Sequence, residues 1–306
     1  MEQHNKRVQS QRIASLSNPT VKSISAYLLV TKPVMVSLLV FTGVVGFFLA
    51  SQGAIPAATF TLLLLSLTCG CAGANTLTGY IDRDIDAVME RTMGRPIPSS
   101  RIAPRKALAF GIVLVIIALS CALTLNWLTF VITLAGIINN VVIYSLWTKR
   151  RSSLNILLGG FAGGLPVLGG YAAYAGTIGA SSLFLCAVVV VWTPVHIWSL
   201  ALKYRGDYLE ANVPMLPVVV STKRAVQLIA LSSGLLVVLS LVPVMLGFFG
   251  TVYLVNAAIL GAVIFWLSMR LLLSPVEPRV WLVFKISNPY LGLLFLSVMV
   301  DTLISH

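Results

Sequence analysis

The chain of 306 residues has nine acidic side chains, and three of them fall in one run, Tyr80-Ile81-Asp82-Arg83-Asp84-Ile85-Asp86. If a helix runs through to Asp86, its 3.6-residue turn puts Asn75, Thr78, Asp82 and Asp86 on one face, three and four apart. An amide, a hydroxyl and two carboxylates then project together. Like charges one turn apart repel, and a charged side chain deep in a bilayer costs about 2.5–3.5 kcal/mol. A cation or a basic partner offsets both. Mg²⁺ suits such a face, because it takes one or two carboxylates and fills its other positions with water and phosphate oxygens. The next segment, Met89-Glu90-Arg91-Thr92-Met93-Gly94-Arg95-Pro96, brings Arg91 and Arg95 close behind. Their guanidinium forks match phosphate oxygens. Carboxylates for a metal beside arginines for phosphate meet the needs of a diphosphate. The competing reading is that the aspartates only cap a helix and pair with Arg83, Arg91 and Arg95.

A second copy of the arrangement weighs against that simpler role. Lys203-Tyr204-Arg205-Gly206-Asp207-Tyr208-Leu209-Glu210 is followed by Pro214, Pro217 and Lys223-Arg224, as the first run is followed by Pro96, Pro98 and Arg105-Lys106. The repeat places Asp207 opposite Asp82 across a central cavity. Asp82, Asp86 and Asp207 are the candidate metal ligands. Arg91, Arg95, Lys149 and Lys203 are candidates for the remaining phosphate charge. His196 lies within an apolar run, between Trp192 and Trp198, where Pro194 loosens the helix. Packing and site roles are both open to it from the sequence alone. Tyr80, Tyr144 and Tyr208 fall at the ends of apolar runs, as an interfacial aromatic belt requires, and Tyr144 also stands close to Lys149. Asn139 and Asn140 read as interhelical hydrogen-bonding groups, and Gly159 to Gly170 as points of close helix approach.

The elements that must position these residues follow from composition. Hydrophobic residues make up 58% of the chain and charged residues 10%, and the mean hydropathy is +0.95. That excludes a soluble globular domain, a disordered chain and a fibre, and leaves a polytopic membrane protein. No Lys, Arg, Asp or Glu occurs in 33–81, 107–148, 152–202 or 225–269. Each stretch is long enough for two crossings of about 20 residues. Each also breaks near its middle, at Ser51-Gln52-Gly53, Leu125-Asn126-Trp127, Gly176-Thr177-Ile178-Gly179 and Gly247-Phe248-Phe249-Gly250. Four helical hairpins and a ninth span over about 282–303 are expected. All 21 Lys and Arg lie in segments that the hairpins return to one side, which the positive-inside rule makes the cytoplasmic side. The N-terminus is then inside and the C-terminus outside, most simply in a prokaryotic plasma membrane. The net charge of +12 is explained by topology and anionic lipid, so no nucleic-acid partner is implied. Residues 1–32 read as a cytoplasmic segment with an interfacial helix at about 19–31, and 33–306 as a single nine-helix transmembrane domain. The four cysteines lack disulfide or zinc spacing.

Asp82 through Asp86, with Met89-Glu90-Arg91-Thr92 and Arg95-Pro96, resembles the first motif of the UbiA superfamily of intramembrane prenyltransferases. Trp192-Thr193-Pro194-Val195-His196-Ile197-Trp198-Ser199-Leu200-Ala201-Leu202 is similar to a signature of the branch that farnesylates heme, as is Asp207-Tyr208 with Val213 to Val218. The resemblance runs from about Lys32 to Asp301. Two positions depart from the pattern. Thr78 stands where the superfamily has Asn, with Asn75 one turn earlier to supply an amide, and Val195 replaces the second proline of Pro-Pro-His. The resemblance implies an all-α fold of nine transmembrane helices around a cavity open to the cytoplasmic face. It implies Mg²⁺-dependent transfer of farnesyl from farnesyl diphosphate to a vinyl group of heme B, with addition of water, giving heme O and diphosphate. Asp82, Asp86 and Asp207 would hold the metal. Asn75, Thr78, Arg91, Arg95, Tyr144, Lys149, Lys203, Trp192 and His196 would bind substrate, His196 as an axial or positioning group for iron. Membrane lipid surrounds the domain, and a heme A synthase or terminal oxidase assembly is the expected downstream partner. A prenyltransferase for an aromatic or quinone-precursor acceptor would share the aspartates but lack the histidine signature. A cation-coupled transporter would favour midplane acids, whereas these crowd one rim.

Overall fold

Tandem apolar runs with no room for alternation can satisfy their backbone in a membrane only as helices, and a computed structural model of residues 19–304 has this form. Among the described residues there is no strand. Nine helices among these residues are long and apolar enough to cross a membrane: Pro33–Ser51, Ala57–Ile81, Pro104–Leu125, Trp127–Thr148, Asn155–Ala175, Ala180–Lys203, Thr222–Met245, Thr251–Leu273 and Glu277–Ile304. They are numbered here as spans one to nine. All four breaks expected within the charge-free stretches fall between spans. At the first, Gln52 and Gly53 turn the chain with φ of 52° and 85°. At the second, Asn126 caps the fourth span by accepting the Thr129 N–H at 2.8 Å.

The ninth span starts five residues earlier than the apolar run suggests. Its first turn is polar but held, since Glu277 accepts from Lys203 at 2.8 Å and Arg279 donates to the Arg270 carbonyl at 2.9 Å. Residues 1–18 of the expected N-terminal segment lie outside the described residues. Its expected helix spans Pro19–Val30. Ala26 and Val30 pack with Ile97, Ile102 and Ala107, while Ile24, Leu28 and Leu29 stay exposed on the outer face.

Successive spans pack side by side from the first to the ninth, and the ninth returns against the sixth and the first. The first and fifth spans cross at contact between their backbones. A Cβ on Gly170 would overlap the Gly43 carbonyl oxygen, and one on Gly46 would overlap the Val167 carbonyl. This is the close approach expected of the fifth-span glycines. Asn139 bridges spans four and five, donating to the Leu158 carbonyl at 3.0 Å and accepting the Ala162 N–H at 3.0 Å. From Asn139 to Thr148 the fourth span widens into a π-helix, which the sequence did not announce. Such widening is rare and favours functional sites.

Candidate active site

The second span ends at Ile81 and a short helix runs on over Arg83–Val88, with Asp82 between them. The main-chain ladder does not break there: Asp82 N–H bonds the Thr78 carbonyl at 2.9 Å and Asp86 N–H bonds the Asp82 carbonyl at 2.8 Å. Asn75, Thr78, Asp82 and Asp86 therefore keep one face, and all four are at most 4% exposed. Thr78 donates to the Asn75 carbonyl, and Asn75 donates to the Thr31 carbonyl at 3.2 Å. That last bond ties the joint before the first span to the aspartate face.

Asp82 and Asp86 each have their own cation. Lys149 lies 2.6 Å from Asp82 Oδ2, which also accepts from Ser145 at 3.1 Å. The π-helical stretch delivers both donors, since it carries Ser145 and ends at Lys149. Burial opposes the charge on Lys149, but neighbouring Tyr144 and Asp82 outweigh it and the ammonium is held more firmly than usual. Arg95 donates through one nitrogen to both oxygens of Asp86 at 2.8 Å. Asp84 faces outward to Arg150, whose fork pulls its carboxyl down to about 2.

Lys32 joins this cluster without having been foreseen as a site residue. It sits at φ 58° between the N-terminal helix and the first span, and with Asp86, Arg95 and Pro96 it lines a narrow cleft. Burial, and behind it the Arg95 guanidinium, push its ammonium down to about 8 against the pull of Asp86 and Asp82. The sequence marks it only as a basic residue placed at a span entrance by a helix-starting proline, Lys32-Pro33.

Three of the expected groups have other partners in this structure. Asp207 Oδ2 accepts the Arg91 N–H at 3.1 Å, and among the described residues no three acidic, imidazole or thiol groups gather to hold a metal. The Arg91 guanidinium meets the Tyr208 hydroxyl at 3.4 Å and lies over the Tyr204 ring. Lys203 pairs with Glu277 and lies over the Trp281 ring at 4.7 Å, so the sixth–ninth seam holds it rather than the aspartate cluster. The Asp207–Arg91 and Arg91–Tyr208 bonds join the loops that follow the second and sixth spans, and Lys203 is engaged at the sixth–ninth seam.

A divalent cation nonetheless fits the aspartate pair. Asp82 Oδ1 is buried with no hydrogen-bond partner, a costly state for a carboxylate oxygen that a metal would relieve. Mg²⁺ needs no third carboxylate when phosphate oxygens complete its shell.

His196 is half-buried in the sixth span. Its ring is stacked between Trp192 (centroids 4.6 Å apart) and Phe284 (4.4 Å), and Phe284 stacks in turn on Trp281 (4.8 Å). Tyr144, half-buried, stands with its ring 5.8 Å from the Lys149 ammonium.

This fold and this site define a membrane-embedded prenyl-transfer enzyme. The chain belongs to the UbiA prenyltransferase family, whose model matches residues 39–295. It is 44% identical over 278 residues to protoheme IX farnesyltransferase of Desulforudis audaxviator (strain MP104C), covering 90% of this chain and 88% of that protein. It is 40% identical to protoheme IX farnesyltransferase 2 of Cenarchaeum symbiosum (strain A), with 91% and 96% covered. Among solved structures, a digeranylgeranylglyceryl phosphate synthase superposes with a TM-score of 0.77 at 21% identity, covering 92% of this chain and 99% of that one. A UbiA homolog from Archaeoglobus fulgidus, bound to GPP and Mg²⁺, gives 0.66 at 17% identity, with 89% and 99% covered.

Proposed function

We propose that this integral membrane protein transfers the farnesyl group of farnesyl diphosphate to a vinyl group of heme B, with addition of water, giving heme O and diphosphate. The observation that carries the reading is the coincidence of two features in one bundle. One is a buried aspartate pair with an unpartnered carboxylate oxygen, and the other is a histidine held between aromatic rings. The heme-farnesylating relatives at 40–44% identity over about nine-tenths of the chain support the choice of acceptor.

Asp82 and Asp86 would hold the divalent ion, Mg²⁺, with Asp207 approaching from the facing loop. When bound, the ion supplies neutralising charge for the departing diphosphate oxygens. Lys149, Arg95 and Lys32 would take the phosphate charge, with Arg91 on the Tyr208 side. The allylic C–O bond breaks with departure of diphosphate, the vinyl π-bond attacks the cation, and water captures the new cation on the porphyrin side, losing its proton to the released diphosphate. No enzyme nucleophile is needed. His196 positions the porphyrin through its iron, with Trp192 beside it. Thr78 and Asn75 hold the aspartate face, and Tyr144 lines it. Residues 33–306 act as one unit, with the Pro19–Val30 helix along the cytoplasmic membrane surface, and the charged rim faces the cytoplasm of a prokaryotic cell. Heme O then passes to a terminal oxidase assembly or to a heme A synthase.

Purified protein supplied with Mg²⁺, heme B and farnesyl diphosphate is expected to yield a product with the mass of heme O. An aromatic acceptor consumed in its place would refute the assignment of substrate. His196→Ala is expected to shift the Soret band of bound heme and weaken its binding, and an unchanged band and affinity would exclude ligation.

Lys32 gives the reaction a pH limb. Its ammonium is charged below about 8 and loses its proton above, so attraction for the diphosphate falls as pH rises through that value. The KM for farnesyl diphosphate is expected to climb between pH 7 and 9. Lys32→Arg, which stays charged there, should flatten the profile, and a wild-type KM that stays level would refute the role.

A further inference from the structure

We infer that Ser287, in the ninth span, is the positioning residue that fixes the tautomer and orientation of His196, so that the imidazole presents an unprotonated Nε2. The inference rests on the reading of His196 as a group that meets heme iron. The argument is a count of hydrogens. The Ser287 hydroxyl lies 2.7 Å from His196 Nδ1 and donates to the Phe284 carbonyl at 2.7 Å. A hydroxyl has one hydrogen to give. With that hydrogen spent on the Phe284 carbonyl, Ser287 Oγ meets Nδ1 as an acceptor, and Nδ1 must carry the ring proton. A neutral imidazole protonated at Nδ1 has its lone pair on Nε2, the form that binds a metal.

Ser287 anchors the neighbouring ring as well. Its carbonyl accepts the Trp192 indole N–H at 2.6 Å, and its side chain is fully buried. Trp192 and Phe284 lie within 13° and 22° of the His196 ring plane, one on each face. The ring is thus held by two stacked neighbours and by Ser287 along its Nδ1 edge. One small residue on the ninth span thereby sets the chemistry of a histidine on the sixth.

The test uses the full chain in detergent or nanodiscs. In heme-free protein labelled with ¹⁵N-histidine, with His4 and His306 replaced, the expected spectrum is a protonated Nδ1 and a pyridine-like Nε2. The opposite tautomer overturns the inference. In heme B titrations, Ser287→Ala is expected to weaken binding by about 10- to 100-fold, the usual effect of losing the partner of a metal-binding histidine, and to alter the Soret band. Ser287→Thr, which keeps the hydroxyl, should restore both. An unaltered affinity and band in Ser287→Ala, where His196→Ala changes them, overturns the inference alone. Unaltered binding in His196→Ala overturns the ligation reading and this inference together.

Discussion

Asp82→Ala is expected to reduce turnover by at least about 10³-fold, the upper end of what removal of one preorganised charge-stabilising group costs, while the protein still inserts and folds. Asp82 is buried, its Oδ2 is shared by Lys149 and Ser145, and its Oδ1 has no partner. Removing the carboxylate takes away the oxygen that best fits a divalent ion. It also strands the Lys149 ammonium, and breaking one side of a buried pair costs about 3–5 kcal/mol. The variant is therefore compared with Asp82→Asn, which keeps the shape and the bond to Ser145 but not the charge. Both should be inactive in the mass assay for product, and the asparagine variant should retain more of the thermal stability. An active Asp82→Asn enzyme would remove the metal from this face.

Gly170→Ala is expected to destabilise the bundle by about 3 kcal/mol or more, at or beyond the usual range for overpacking a tight contact. The added methyl would fall on the main-chain carbonyl of Gly43, which has no side chain to swing aside. The first and fifth spans would have to part, and the first span carries Lys32 at its entrance. Gly292→Ala is the matched control, since nothing lies within 4 Å of the methyl it would add. It should be neutral or slightly stabilising, as alanine for glycine in a helix generally is. Thermal unfolding of both variants in the same detergent decides the matter, and equal midpoints would mean that the crossing is not tight.

Much of this architecture can be read from the residues because it depends on local rules. The charge-free stretches with their mid-run breaks give eight spans, and Asn126 and Gly53 stand where their capping and turn chemistry predicts. The 3.6-residue period alone places Asn75, Thr78, Asp82 and Asp86 together, even with the short interruption at Asp82. What escaped the sequence depends on partners distant along the chain. Lys203 reads as a phosphate-binding group by its place in the repeat, and nothing local reports that Glu277, 74 residues on, lies within 2.8 Å of it. Ser145 is an ordinary serine in an apolar run, and only the π-helical widening and the approach of the second span show it bonded to Asp82. Lys32 reads as a topology charge because nothing local reports that Arg95 and Asp86 lie beside it.

The pairing of Asp82 with Lys149 and of Asp86 with Arg95 also bears on inhibition. Each of the two carboxylates thus engages one cation of the bundle mouth. A metal-free polyanion, such as a nucleotide or inorganic pyrophosphate stripped of its counter-ion, would have to compete with buried carboxylates for those cations and would leave the carboxylates uncompensated. The same polyanion arriving as its magnesium complex satisfies both sets of charges at once. Product diphosphate should accordingly inhibit far more strongly with magnesium than under chelation, and it should leave the site with the ion it was bound to.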